Sequence, residues 1–466
     1  MIYIDRTISK PIYEQIYSYY TDEILSGALP SGSRLPATRK LAEELSLGRN
    51  TVDKAYQQLV AEGYIHSKPG SGFIVNSIPS GICSEPATAL PQHKTILKTN
   101  APEYDFAYGN MDNSIFPYNQ WRKCINNALS TMELADTIRY PERTGEPILR
   151  KEISKYLYHS RGVRCHPEQV IITCGQQHSM EIIANMFDES PRKTFAMEDP
   201  GYDGIREVFL NHKFRMEYIP VNDDGICMNN VYSLETDLLY VTPSHQFPTG
   251  AVLSIGKRKE LLNWAESTNT FLIEDDYDSE LRYYTNPIPA MQSLDKNGRT
   301  IYTGTFSKSL SPSMRLAYII FPETLLNKYY KYYHRYNSQV STLHQLALAE
   351  FMSAGYYERH INRLRTLYKK KQAALLAALI DVFGDDIEVY GEGAGIHLLL
   401  NVKGTLSQET LIEKAAIAGI RLYSSRPLYA VPSRCPDNQL LIGFPTIPQN
   451  NFKKIILLLK QAWYSE

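Results

Sequence analysis

Lys308 has the most specific chemical setting in this chain. It sits in GTFSKSL, directly after the strand-like run TIYTGTF, where a lysine at a strand end points into a cleft as an amine nucleophile. Asp275 closes another strand-like run, FLIED, and Tyr277 follows two residues on, so a carboxylate and a phenol can face one ligand. Arg315 lies seven residues after Lys308, placed for a bidentate phosphate contact, with Ser307 and Thr305 nearby. Gly175, Gln176 and Gln177 open a helical stretch straight after VIITC, where backbone N–H groups and the helix dipole favour an anion. Tyr202, in EDPGY, can stack on a planar ring.

An imine-forming lysine, an acid for a ring nitrogen, a hydroxyl for a phenolic oxygen and a phosphate cradle are together what pyridoxal-phosphate (PLP) chemistry requires. Singly, each residue has an ordinary reading, Lys308 as a surface lysine and Asp275 as a cap or ion-pair partner. Their order along the chain makes the set specific. The elements that must position them are legible too. VIITC, TFAME, LLYVT, FLIED, TIYTGTF and LAYIIF alternate with helical stretches. Such alternation over roughly 200 residues predicts a mainly parallel sheet covered by helices, with ligands beyond the carboxyl ends of its strands. From about residue 345 the pattern predicts a long helix, Tyr356 to Leu379, and a smaller terminal α+β subdomain.

A different chemistry occupies the N-terminal region. Helical spacing predicts helices over Pro11–Ser26, residues 37–46 and Arg49–Glu62, the last with Val52, Ala55, Tyr56 and Leu59 as its buried stripe and Gly63 as its C-cap. SLG breaks the second helix from the third, and YIHSKPGSGFIV reads as a hairpin. Helix, tight turn, helix and wing make a winged helix-turn-helix. Arg49, Asn50, Thr51 and Lys54 occupy the exposed first turn of its recognition helix, where Arg reads guanine, Asn reads adenine, and Thr and Lys hold phosphates. Arg34, Arg39 and Lys40 precede that helix, and Lys68 lies on the wing. Residues 77–103 are Pro/Ser/Ala-rich without periodicity and read as a linker. The expected division is therefore 1–76 for DNA, 77–103 as linker and 104–466 for the cofactor.

Composition is compatible with this reading. A chain of 466 residues is too long for one core. The first 76 residues carry eight Lys/Arg against eight Asp/Glu, so the placement of the cations, not their sum, supports DNA binding. The six cysteines are dispersed without a CxxC pair, which argues against a metal site or a disulfide framework. With no long apolar run and no signal-peptide pattern in MIYIDRTISK, a cytoplasmic protein without a membrane partner is expected.

The stretch LPATRKLAEELSLGRNTVDKAYQQLVAEGY nearly matches the GntR pattern LPSxRxLAxxLxVSRxTVxxAxxxLxxxG. With RGVRCHPEQVII, EDPGY, TPSHQFPTG, NWAE, IEDDYDSE, IPAMQSLD and GTFSKSL, the whole chain resembles the MocR subfamily of GntR-type transcriptional regulators. The resemblance implies a multidomain protein: a mainly α winged helix-turn-helix joined to an α/β, fold-type I, class I aminotransferase-like domain. It implies PLP as cofactor, double-stranded operator DNA as partner, and a head-to-tail homodimer. By resemblance Lys308 carries the imine, Asp275 pairs with the ring nitrogen and Tyr277 with the phenolic oxygen. Gln176, Gln177, Ser307 and Arg315 hold the phosphate, and Tyr140, in RYPERTG, reaches the partner's phosphate.

Three positions depart from the pattern. Gly48 replaces the usual Ser N-cap at a cost of only a few tenths of a kcal/mol. In members that grip an effector carboxylate between two arginines, one follows the Tyr of PGY by two residues and the other precedes the late IIGF strand; the matching positions here are Gly204 and Asp437. γ-Aminobutyrate and ordinary α-amino acids are therefore disfavoured, although Arg206, Arg426 and Arg434 lie near in sequence. The expected function is a PLP-dependent regulator sensing an amine, an amino acid or PLP itself. The alternative is a working aminotransferase with an appended DNA-binding domain. The basic run Arg359–Lys371 reads as mainly a solvated helix face, and the tyrosines of NKYYKYYHRYNS as packing or interface.

Overall fold

The computed structural model describes residues 2–78, 102–132, 140–285 and 288–464. Most of the expected linker, and Cys83 with it, lies outside them. The chain divides into two compact units, Met1–Thr99 and Asn100–Glu466.

The first unit contains α1 (Ile12–Leu25), α2 (Thr38–Glu44), α3 (Arg49–Ala61) and a hairpin of β1 (Ile65–Lys68) and β2 (Gly72–Val75). Ile16, Tyr20 and Ile24 of α1 meet Val52, Ala55, Tyr56 and Leu59 of α3, each buried at helical spacing. Burying each large apolar side chain stabilises the unit by about 1.5–3 kcal/mol. Tyr56 centres this small core: its ring meets those of Tyr20 and Phe73 edge-on, and its hydroxyl donates to the Pro36 carbonyl. Between α2 and α3 the chain turns at Ser46, a left-handed residue at φ 53°, and the Leu47 N–H returns to the Ala42 carbonyl. Gly63, at φ 79°, ends α3 where only glycine is unstrained. The hairpin pairs Ile65 with Val75 and Lys68 with Gly72, so Lys68 stands at its tip.

In the second unit a short strand, β3 (Tyr104–Asp105), precedes the strands of the main sheet. These are β4 (Val170–Thr173), β5 (Thr194–Asp199), β6 (Arg215–Asn222), β7 (Gly225–Ile226), β8 (Leu238–Val241), β9 (Phe271–Asp275), β10 (Thr300–Thr305) and β11 (Ala317–Ile320). Their order is β4-β11-β10-β9-β8-β5-β6-β7. The run from β10 to β6 is parallel, while β11 lies antiparallel to both neighbours. β4, β5, β8, β10 and β11 are buried at every position, which is why they read as unbroken apolar runs. β6 escaped the sequence reading because RMEYIPVN is half-exposed and contains Pro220, a residue that counts against a strand.

The chain then forms a helix over Tyr356–Phe383, four residues longer than expected, and a terminal subdomain. Its strands are β12 (Ile387–Tyr390), β13 (His397–Val402), β14 (Ile420–Arg421), β15 (Tyr423–Ser424) and β16 (Gln439–Gly443), of which β14 pairs with β3 and the others form the antiparallel order β12-β13-β16-β15. The tyrosine run packs as expected, Tyr329 and Tyr333 stacking in the core beside Phe321.

Candidate cofactor pocket and DNA-reading face

The carboxyl ends of β5, β8, β9 and β10 open into one pocket, as a parallel sheet dictates. It brings together Gln176, Gln177, Tyr202, Asp275, Tyr277, Thr305, Ser307, Lys308 and Arg315, contributed by segments far apart in sequence. Tyr108, Tyr240, Phe247 and Pro312 also line it and were missed from sequence. Tyr240 lay within a run already read as strand, but its partner, Asp275, stands on the neighbouring strand. Tyr140 is exposed and does not line this chain's pocket.

The acidic segment from Glu274 to Asp278 gives each carboxylate a different set of partners. Glu274 accepts the backbone N–H groups of Met291 and Gln292, each at 2.7 Å. Asp276 is gripped by buried Arg161 at 2.7 and 3.1 Å. Asp278 meets Nδ1 of His245 at 2.8 Å, and the Tyr277 hydroxyl stands 3.0 Å from that same nitrogen. Asp275 has a buried atom without a partner: Oδ2 accepts from the Tyr240 hydroxyl, while buried Oδ1 has no hydrogen-bond partner. Burial pushes its carboxyl up to about 7. A protonated ring nitrogen at Oδ1 would supply the missing partner and hold the aspartate ionised.

Lys308 faces the same space. Burial pushes its ammonium down to about 8, against the opposing pull of Asp278, so roughly a tenth of it is a neutral nucleophile at neutral pH, far more than for an ordinary lysine. Its Nζ lies 4.3 Å from the Tyr108 ring centroid. At the other end, Gly175 caps the helix Gln176–Met186 at φ 91°. A Cβ there would come within 2.2 Å of Arg315 Nη2, so guanidinium and helix N-terminus approach as closely as glycine allows. Ser307 N–H donates to the Thr305 hydroxyl at 3.1 Å, folding the turn before Lys308 toward that cradle. Donor set and orphaned carboxylate oxygen both fit PLP.

The three nearby arginines are engaged elsewhere. Arg206 donates to the Pro427 carbonyl, Arg426 pairs with Glu409 and Asp437 near the surface, and Arg434 holds buried Asp199 at 2.8 Å. None lines the pocket.

On the first unit Arg34, Arg39, Lys40, Arg49, Asn50, Lys54 and Lys68 are at least partly exposed and Thr51 is half-buried. Gly48 is the N-cap of α3, with extended backbone and no side-chain bond. Arg39, Lys40 and Arg49 make i,i+4 pairs with Glu43, Glu44 and Asp53, weak contacts that a phosphate can displace. The Lys54 ammonium sits 3.8 Å over the Tyr13 ring, a contact that binds it to α1 and was not legible in sequence.

Residues 12–75 match the family of bacterial regulatory proteins, gntR family, and residues 103–435 match aminotransferase class I and II. The chain is 40% identical to the uncharacterized HTH-type transcriptional regulator YdeL of Bacillus subtilis, over 99% of this chain and 98% of that one. It is 33% identical to the "Probable rhizopine catabolism regulatory protein MocR" of Rhizobium meliloti, over 99% and 96%. Among solved structures it resembles LysN of Thermus thermophilus, an α-aminoadipate aminotransferase complexed with N-(5′-phosphopyridoxyl)-L-leucine. That likeness has a TM-score of 0.68 at 23% identity, covering 77% of this chain and 91% of that one. The cofactor of aminotransferase class I and II domains is pyridoxal 5′-phosphate. With a GntR helix-turn-helix ahead of such a domain and relatives of the same architecture along its whole length, the chain belongs to the MocR-type HTH transcriptional regulators.

Proposed function

We propose that this protein acts in the cytoplasm as an operator-binding regulator whose aminotransferase-like unit holds PLP as a sensor of a small effector: an amine, an amino acid or PLP itself. The observation that carries the reading is the buried pairing of chemistries in one pocket: a lysine depressed to about 8 opposite a carboxylate whose Oδ1 has no partner. When bound, PLP supplies a reactive carbonyl and an electron-withdrawing ring. Lys308 is the attachment point and Asp275 accepts from the ring N–H. Tyr277 serves the phenolic oxygen. With Nδ1 of His245 committed to Asp278, the Tyr277 hydroxyl is free to donate into the pocket. Gly175, Gln176, Gln177, Thr305, Ser307 and Arg315 hold the phosphate, and Tyr202 packs against the ring. In a head-to-tail homodimer, exposed Tyr140 reaches the phosphate of the partner subunit.

For DNA, Arg49 and Asn50 read bases, while Arg34, Arg39, Lys40, Thr51, Lys54 and Lys68 contact phosphates or the flanking groove. The effector would act by favouring one arrangement of the two units over another. Borohydride reduction of PLP-treated protein followed by peptide mapping tests the attachment. A phosphopyridoxyl adduct on Lys308 is expected; an adduct elsewhere, or none, overturns it. Steady keto-acid production from a panel of amino donors would instead favour a working aminotransferase.

A further inference from the structure

The pocket's far wall differs from its cofactor-facing floor. Phe247, Tyr277, Leu399, Leu428 and Leu441 form a buried apolar cluster of their own, with Tyr108 and Tyr202 packed against it. Phe247 and Tyr108 lie tilted to each other at 4.8 Å between ring centroids, and Phe247 meets Tyr202 edge-on at 6.0 Å. The pocket is therefore lined by the rings of Tyr108, Tyr202, Phe247 and Tyr277, with three leucines packed among them.

Charge is distributed unevenly around that space. Among the described residues lining the pocket the cations are Lys308 and Arg315, both engaged by the cofactor reading above. Arg206, Arg426 and Arg434 are held by a carbonyl or by acids elsewhere. At Gly204 a Cβ would lie 2.8 Å from the tip of the Tyr202 ring, so that ring occupies the position a longer side chain would take. Acids, by contrast, lie close by: Asp275 lines the pocket, and Asp278 pulls the Lys308 amine toward its protonated form. A carboxylate buried here would lose its hydration without gaining a cation, whereas an ammonium is attracted by acids and ring faces alike.

Resting on the sensor reading, we propose that the effector is a primary amine with an apolar body and no carboxylate. An amino acid would place its carboxylate against the Phe247–Leu441 wall, where it is uncompensated.

Matched ligand pairs test this on the PLP-loaded full-length protein: phenethylamine against phenylalanine, and butylamine against γ-aminobutyrate. Two readouts are followed, the cofactor absorbance and the affinity for operator DNA. The amine of each pair is expected to act at a concentration at least about tenfold lower than its carboxylated counterpart. A carboxylated member acting at equal or lower concentration overturns the amine assignment and leaves the sensor reading standing. If neither member of either pair changes absorbance or operator affinity, the amine assignment falls; the sensor reading falls with it only if operator affinity is also indifferent to PLP alone.

Discussion

The two ligand-facing regions handle charge in opposite ways. On the DNA-reading face, Arg39, Lys40 and Arg49 are exposed and loosely paired one helical turn away, so water and salt already compensate them. Around the cofactor pocket, Glu274, Asp276 and Asp278 are buried and hydrogen-bonded, whereas Asp275, which lines the pocket, keeps a buried Oδ1 without a partner. A surface that reads DNA is tuned by which side chains protrude. A pocket that holds a small cofactor is tuned by which buried group is left without a partner. Single substitutions should therefore act gradually on the first and abruptly on the second.

The largest effect is expected at Lys308. Lys308→Ala should remove the borohydride-fixable adduct completely while leaving operator binding in the absence of cofactor within about twofold of wild type, because the two units have separate cores. Retention of the adduct would place the attachment on another residue. Gly175→Ala comes next. The new Cβ at φ 91° meets Arg315 Nη2, and strain of about 1–3 kcal/mol plus displacement of the guanidinium should weaken PLP binding by roughly ten- to a hundredfold, read from absorbance titration. A near-normal affinity would mean that the phosphate lies elsewhere.

The fold behind these predictions was legible where its cause is local. The stripe Val52–Leu59 and the buried strands show themselves through periodicity and unbroken apolar runs. What sequence hid is what depends on distance. The Tyr240–Asp275 contact spans neighbouring strands, the Lys54–Tyr13 contact joins two helices, and Tyr108 and Phe247 reach the pocket only once the sheet and terminal subdomain close around it. Most of the pocket's chemical residues were visible in their motifs; its apolar wall was not, because Leu399, Leu428 and Leu441 carry no motif.

Smaller effects sharpen the contrast. Arg49→Ala should weaken operator binding by about tenfold, within the ~1–3 kcal/mol of a base contact, without altering cofactor absorbance. An unchanged affinity would displace α3 as the reading element. The rate of cofactor attachment should rise with pH, pass its half-maximum near 8 and level off above that, because the neutral amine attacks and burial has already lowered Lys308 to about 8. A rate still climbing to the ordinary lysine range near ~10.4 would show an unperturbed amine. Smallest of all, Gly48→Ser should raise the stability of the DNA-binding unit by a few tenths of a kcal/mol. Gly48 has ordinary extended backbone, and nothing lies within 4 Å of the Cβ it would gain. A loss of stability on thermal melting would show that α3 begins elsewhere.

The most direct test of the central claim is operator affinity measured with and without PLP, and with PLP plus amine, in wild type and in Lys308→Ala. Wild-type affinity is expected to shift with cofactor or amine, and the variant to be indifferent to both. An equal response in the two proteins, or none in either, would contradict a sensor built on Lys308.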